Sequence, residues 1–201
     1  RHPQTLVCTL GGRRVDFVGV HLKSKFVGED YAKAARARQK ARPSADDLAL
    51  IQAVEKLAVE ARIKLTTEVV NIRHYIENRF ANEPHPAIFV LGDLNDGIGK
   101  EYFERRYLFH DLISNLQGDV FFARRFLNHA LFDYGLHSDG HYRWTVSFED
   151  AWDPARDPHI LLDHIMFTQS VTGPDALSRT AVRVHGGAGR VEHDVHVAVN
   201  A

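Results

Sequence analysis

The sequence has few of the features that directly indicate the class of a protein. Its single cysteine, Cys8, excludes an internal disulfide framework. A formal net charge of -1 gives no global argument for nucleic-acid binding. No apolar run is long enough to cross a bilayer, and there is no internal repeat. The 13 histidines include no HExxH helix or similar tight ligand set, so a zinc metallohydrolase is only weakly supported.

The remaining composition is that of an ordinary globular protein. Hydrophobic residues make up 44% and charged residues 25% of the 201 residues. This length suits a single domain over residues 1–201 with a real core. The chain starts at Arg1 on a strand-like segment and stops at Ala201 just after another, so we expect the domain to be partial, truncated at both ends. No signal peptide is visible, and the localisation stays open.

Hydrophobic periodicity predicts an α/β fold. Two strand-like runs flank the Gly-Gly turn at residues 11–12 and predict a β-hairpin. Ser44 and Asp47 form a plausible capping pair for a long helix with one apolar stripe. The short apolar run 87–93 predicts a strand buried on both faces. Later segments predict a helix at 100–108, helix and loop at 119–135, and strands at 141–148, 159–169, 180–187 and 191–199.

A basic segment lies between the hairpin and the long helix. Its cations are Lys23, Lys25, Lys33, Arg36, Arg38, Lys40 and Arg42. Charge runs are usually solvated, so a loop with a short helix is the favoured interpretation. A basic arm that contacts phosphates is the alternative, and it tilts the substrate towards a polyanion such as nucleic acid. Three phenylalanines, at 121, 122 and 126, could stack bases, although core aromatics are the favoured interpretation there.

Polar residues follow the buried strand at residues 89–97, FVLGDLNDG. The carboxyl ends of strands are where α/β proteins gather their sites. Asp93 offers a hard oxygen ligand suited to Mg²⁺, and Asn95 offers an amide that adds no charge. The alternative is a turn in which both side chains bond their own backbone.

Two other strands carry similar signals. In VGVHLKSK, His21 ends an apolar strand. In LLDHIMF, Asp163 lies inside an apolar strand, where a carboxylate is costly unless it is paired. A natural role for such a carboxylate is to fix the tautomer of a histidine.

Taken together, these motifs resemble the endonuclease/exonuclease/phosphatase family, which includes DNase-I-like nucleases, sphingomyelinases and inositol polyphosphate phosphatases. The resemblance rests on strand-HLKS, strand-GDxN and strand-DHI, in the order that the family uses, from about Val15 to Phe167. RWTVSF is similar to the aromatic-Thr strand that precedes the Asp strand in many members. The resemblance implies a DNase-I-like β-sandwich flanked by helices, lacking its amino-terminal part.

The resemblance also implies roles for four residues. Asp93 would contact Mg²⁺ (or Mn²⁺) and the attacking water, and Asn95 would hold the phosphate and that water beside the metal. Asp163 would orient a catalytic histidine, and His21 would bind phosphate or assist the leaving group. The implied activity is that of a hydrolase, a nuclease-like phosphoesterase that attacks a phosphodiester or phosphomonoester with water.

The chain departs from the family pattern in two places. Nothing before His21 supplies the family's Asn and metal-binding Glu, and no Ser-Asp-His tripeptide occurs. Glu192-His193 could replace that tripeptide, but we favour a strand beyond Ala201, which would leave His193 and His196 as surface histidines. We therefore predict no measurable Mg²⁺-dependent hydrolysis by these residues alone. A non-catalytic binding module that keeps the fold is the alternative function.

Overall fold

The computed structural model describes residues 3–97, 101–130, 144–172, 183–185 and 196–198. Its strands are β1 (Gln4–Leu10), β2 (Arg13–His21), β3 (Ala87–Asp93), β4 (Leu127–His129), β5 (Val146–Ser147), β6 (His159–Ile160), β7 (Asp163–Thr168), β8 (Arg183–His185) and β9 (His196–Ala198). Its α-helices are α1 (Asp30–Arg38), α2 (Ala45–Asn82), α3 (Tyr102–Arg106) and α4 (Leu112–Gln117). Short 3₁₀ turns occupy Val120–Arg125 and Gln169–Val171. The fold is mixed α/β, as the sequence predicted.

A five-stranded mixed sheet with the order β1-β2-β3-β7-β4 organises the protein. The predicted hairpin is confirmed, because β1 and β2 pair antiparallel around the turn at Gly11 and Gly12. β2 and β3 are parallel, and β7 runs antiparallel to both β3 and β4. A parallel pair needs a long crossover connection, which α1 and α2 supply here. This arrangement brings the carboxyl ends of β2 and β3 to one edge of the sheet, beside the start of β7.

The long helix α2 is the main cover of the sheet. The predicted cap is confirmed as a full capping box between Ser44 and Asp47. Its buried residues recur at helical spacing and comprise Val54, Ala58, Ala61, Arg62, Leu65, Val69, Ile72, Ile76 and Phe80. Most of this stripe packs against alternate residues of β2 and β3, including Val18, Val20, Ile88 and Val90. No helix in the described ranges is both long and apolar enough to cross a membrane.

The opposite face of the sheet carries a second, smaller core. Phe17 of β2 stacks on Phe89 of β3 with ring centroids 4.9 Å apart, and Phe167 of β7 continues the row. Strand residues alternate between faces, so His21, Asp93 and Asp163 belong to this face and not to the helix side. Three of the four candidate site residues therefore stand on the face opposite α2.

Several predicted segments differ from the structure in length. The predicted strand 159–169 divides into β6 and β7, because residues 161–162 leave the ladder between them. The predicted strand 141–148 retains only β5, with 141–143 outside the described residues. Within 119–135, the expected helix and loop is a 3₁₀ turn followed by β4, and 131–135 lies outside the described residues. β8 and β9 pair with each other, as parts of the two late predicted strands.

Candidate active site at the strand ends

Three of the sequence-predicted site residues lie in one row across the sheet. His21 of β2 is the register partner of Asp93 in β3, and Asp93 is the register partner of Asp163 in β7. The Nε2 atom of His21 lies 3.6 Å from Oδ2 of Asp93. That distance is too long for a hydrogen bond but suits an ion pair when the imidazole is protonated. We call these residues, together with Asn95, the strand-end row.

Asn95 joins the row through a tight turn. Its backbone N–H donates to Asp93 Oδ1 at 2.8 Å, and its Nδ2 donates to Asp93 Oδ2 at 3.0 Å and to the Leu22 carbonyl at 3.1 Å. Asn95 has a φ of 49°, in the left-handed region that asparagine tolerates better than most residues. The local turn that the sequence offered as an alternative is thus present. It also holds both oxygens of Asp93 in one orientation, and the remaining polar atom of the amide is Oδ1.

The expected burial of Asp163 is wrong. Asp163 is the first residue of β7 and is exposed, so its carboxylate does not bear the cost of burial in an apolar strand. The alternation of β7 buries its neighbour instead: His164 is 1% exposed, on the helix side of the sheet. Asp163 therefore shares the solvent-facing row with Asp93, and the predicted histidine partner is not among its described contacts. Residues 192–193, which include the candidate His193, lie outside the described residues.

A buried histidine pair lies behind the row and was missed from the sequence. His129 Nε2 and His164 Nδ1 are 2.9 Å apart, and His164 Nε2 is 2.8 Å from the Asp96 carbonyl oxygen. Since a carbonyl only accepts, His164 carries its proton on Nε2, and His129 donates to its Nδ1. Burial lowers the pKa of His164 and keeps the ring neutral. The DHI motif could have indicated the burial of His164, because adjacent residues of a strand lie on opposite faces of the sheet.

The second carboxylate of the GDLND motif turns away from the strand-end row. Asp96 is 1% exposed and accepts from Lys25 and Arg62, both at 2.9 Å. Burial favours the neutral form of Asp96, but the charges of Lys25 and Arg62 outweigh it and its pKa lies below the ordinary value. The same cations contact Glu104, at 3.1 Å from Lys25 and 2.6 Å from Arg62, and Lys25 also pairs with Glu101 at 2.7 Å. We call these five residues the buried charge cluster; Arg62 was missed because it sits in the apolar stripe of α2.

The structure also gives partners to most of the basic segment. Lys25 belongs to the buried charge cluster, Lys33 pairs with Asp30, and Lys40 pairs with Asp47. The guanidinium of Arg38 lies over the Tyr102 ring, 4.2 Å from its centroid. These cations are held by the protein itself. The segment therefore gives no support to a basic arm that contacts a polyanion, and it is more structured than a solvated linker.

A cleft of about 520 Å³ opens beside Asn95. Its walls include five aromatic side chains, Phe26, Tyr31, Phe103, Phe109 and Phe148, and we call it the aromatic cleft. The Tyr31 hydroxyl donates to Asp150 at 2.9 Å, and the Trp152 ring N–H donates to the Tyr31 carbonyl at 3.0 Å. Burial, with the charge of Asp150, raises the pKa of Tyr31, so its hydroxyl stays a donor. No part of this cleft was predicted, because its walls come from distant segments.

Two of the three phenylalanines expected in the core are on the surface. Phe121 is 89% and Phe122 is 60% exposed, whereas Phe126 is partly buried. The favoured interpretation as core aromatics is wrong for the first two residues. They belong to the 3₁₀ turn that precedes β4.

The described residues contain no group of three or more His, Cys, Asp or Glu side chains arranged around a metal position. The oxygen donors of the strand-end row are nonetheless of the right kind for Mg²⁺. That ion keeps several waters and is often held by only one or two carboxylates together with substrate phosphate. The carboxylates of Asp93 and Asp163 and the side-chain carbonyl of Asn95 are oxygen donors of the kind that such a weakly chelated ion takes. In comparisons with known proteins, the chain matches no family model and no curated sequence.

Proposed function

We propose that the strand-end row is the metal- and phosphate-binding part of a metal-dependent phosphoesterase. The activity is hydrolysis of a phosphodiester or phosphomonoester by activated water, with Mg²⁺ or Mn²⁺ as cofactor. The single observation that carries the proposal is the register of three adjacent strands, which sets His21, Asp93 and Asp163 side by side. Residues more than 140 positions apart in sequence thereby meet at one sheet edge.

The facing carboxylates support a bound cation. Asp93 and Asp163 are direct cross-strand partners, and like charges in such positions destabilise a sheet. Among the described contacts, the nearby cations Lys25 and Arg62 pair with Asp96, and His21 lies 3.6 Å from Asp93. A divalent cation at the row would offset the repulsion, and carboxylate oxygens are the ligands that Mg²⁺ prefers.

Asp93, Asn95 and His21 each have a chemical task in this proposal. When bound, Mg²⁺ would stabilise negative charge on the phosphoryl and leaving-group oxygens and favour ionisation of water. The two bonds from Asn95 fix the Asp93 carboxylate, and the Asn95 Oδ1 can accept a hydrogen bond from a water molecule. Because Nδ2 is already engaged, Asn95 is better suited to a cation or water than to a phosphate oxygen. His21 can donate to a phosphate oxygen from the same row.

The proposal includes the DNase-I-like sandwich. Phe17, Leu91 and Ile165 on the face of the strand-end row are only partly buried, which is consistent with a second sheet packing there. The nuclease-like choice of substrate stays a prediction without support from the basic segment.

Metal binding tests the proposal without requiring turnover, which we do not expect from these residues alone. Mn²⁺ is added to the protein, and NMR line broadening of the His21 ring and the Asn95 amide is followed. We expect broadening there first, and about tenfold weaker binding or more in Asp93→Asn and in Asp163→Asn, since each removes a charged ligand. Asp46→Asn, an exposed carboxylate on α2, is the matched control and should bind Mn²⁺ like the original protein.

Unchanged Mn²⁺ affinity in both strand-end variants would refute the metal site. That result would favour the alternative, a binding module that retains the fold without the catalytic set.

A further inference from the structure

The aromatic cleft begins where the strand-end row ends. Asn95 belongs to both, because it lines the cleft and its Nδ2 donates to Asp93 at 3.0 Å. The cleft volume of about 520 Å³ lies within the range of pockets that hold small organic molecules. A phosphate held at the row would thus have its organic substituent within reach of this cleft.

The aromatic side chains around the cleft are rigidly packed. Tyr31 lies against Phe103 and Trp152, with ring centroids 6.2 Å and 5.8 Å away, and Phe103 lies 4.8 Å from Trp152. The bonds of Tyr31 to Asp150 and Trp152 fix the ring further. A rigid aromatic wall binds a flat ring at low entropic cost. At the mouth, Phe26 and Phe148 are 66% and 47% exposed, which leaves apolar area for a ligand to cover.

The charges of the cleft argue against an anionic ligand. Among the residues that the structure describes, its cations are Lys25, Arg62 and Arg156, and the first two are already paired within the buried charge cluster. Its described carboxylates are Glu29, Glu101, Glu104, Glu149 and Asp150. Since Glu101 and Glu104 pair with the same two cations, Glu29, Glu149 and Asp150 stand against Arg156. A second phosphate or a carboxylate in the cleft would meet this excess of negative charge.

We propose that the aromatic cleft holds the organic group of the substrate ester, and that this group is an aromatic ring without negative charge. The inference rests on the proposed function, because it needs the phosphate to sit at the strand-end row. It assigns Phe26 and Phe148 as specificity-determining residues and disfavours a nucleic-acid strand as substrate.

The test compares ligands and variants by isothermal titration calorimetry in the presence of Mg²⁺. The probes are 1-naphthyl phosphate, the same ester carrying a ring carboxylate, a short oligothymidylate and inorganic phosphate. We expect Phe26→Ala and Phe148→Ala to weaken the binding of 1-naphthyl phosphate by about fivefold or more, since each removes an aromatic contact. Inorganic phosphate should bind with equal affinity to the original protein and to both variants. The ester that carries a ring carboxylate should bind the original protein more weakly than 1-naphthyl phosphate does. Phe121→Ala removes an exposed ring that is not among the lining residues of the cleft and is the control.

The outcomes separate the two proposals. Equal binding of 1-naphthyl phosphate by the original protein and both cleft variants would overturn the inference. Tighter binding of the carboxylated ester, or of a short oligothymidylate, would overturn it as well. In either case, loss of Mg²⁺-dependent phosphate binding in Asp93→Asn would leave the proposed function standing. If Asp93→Asn and Asp163→Asn instead both bind phosphate and Mg²⁺ normally, the proposed function fails whatever the cleft variants show.

Discussion

At the scale of single residues, the strand-end row depends on backbone that few side chains tolerate. Gly92 precedes Asp93 with a φ of +128°, and a Cβ there would lie 2.1 Å from the Val20 carbonyl oxygen. The neighbouring strand therefore approaches closely enough to exclude any side chain at Gly92. Asn95 completes the turn at a φ of 49°. The orientation of Asp93 is set by a glycine before it and an asparagine after it.

Gly92→Ala tests this constraint. We expect a loss of about 3 kcal/mol or more in the free energy of unfolding, because strain at positive φ adds to a backbone clash. Gly12→Ala is the matched control, since Gly12 also has positive φ (+78°) but nothing within 4 Å of its Cβ position. That variant should lose only about 1 kcal/mol. Urea unfolding measures both, and equal losses would refute the crowding at Gly92.

At the scale of elements, a polar contact fastens α2 to β2. Asp16 of β2 is fully buried and accepts from Arg79 and Tyr75 of α2, each at 2.6 Å, and from Arg14 at 2.7 Å. Burial disfavours the carboxylate, but the three donors outweigh it, and the pKa of Asp16 lies below its ordinary value of 3.8. Apolar packing brings the helix to the sheet, and this contact fixes where along the strand it lies.

Asp16→Asn should lower the free energy of unfolding by about 3 kcal/mol at pH 7, because Arg79 loses its buried anion. A folded pKa below the unfolded one means that the stabilisation is complete above pH 3.8 and is lost as the pH falls further. The difference in the free energy of unfolding between the original protein and Asp16→Asn should therefore be smaller at pH 3 than at pH 7. Urea unfolding at both pH values measures it. Asp30→Asn, an exposed carboxylate paired with Lys33, should cost about 0.5 kcal/mol or less; an equal loss there would contradict the role of Asp16.

At the scale of the whole molecule, the buried charge cluster joins parts of the chain that are far apart in sequence. Lys25 follows β2, Arg62 lies on α2, Asp96 follows β3, and Glu104 lies on α3. Their mutual contacts hold the back of the strand-end row against α2 and form one wall of the aromatic cleft. Burial, with the neighbouring carboxylates Asp96 and Glu101, raises the pKa of Glu104 to about 7 against the opposing effect of Lys25 and Arg62.

The raised pKa of Glu104 predicts a loss of stability as the pH rises. The folded protein binds this proton more tightly than the unfolded chain, so the free energy of unfolding should fall between about pH 4.5 and pH 7. Glu104→Gln stays neutral and can still accept from Arg62, so it should abolish most of this fall. Glu77→Gln, on the exposed face of α2, should leave it unchanged. Urea titrations across this pH range measure the free energy of unfolding of each protein. If it still falls with rising pH in Glu104→Gln, the assignment of the effect to Glu104 is contradicted.

The sequence determined several of the elements, because their patterns are local. The capping pair Ser44 and Asp47, the apolar stripe of α2 and the run 87–93 each predicted an element that is present. Strand ends marked by His21, Asp93 and Asn95 could also be found, since an apolar run that stops in polar residues is visible without a structure. Local pattern could not locate the start of β7, and Asp163 was wrongly placed inside an apolar strand.

Only the tertiary structure decided which of these residues meet. The register between β2, β3 and β7 sets His21, Asp93 and Asp163 in one row, and it turns His164 to the other face. Packing of α2 on the sheet buries Arg62 with Asp96. Lys25, which the sequence placed in the basic segment, pairs with the same carboxylate. Such pairings depend on contacts between residues that are distant in the chain. The sequence specifies the charge and size of each side chain, but the packing of the elements decides which side chains are neighbours.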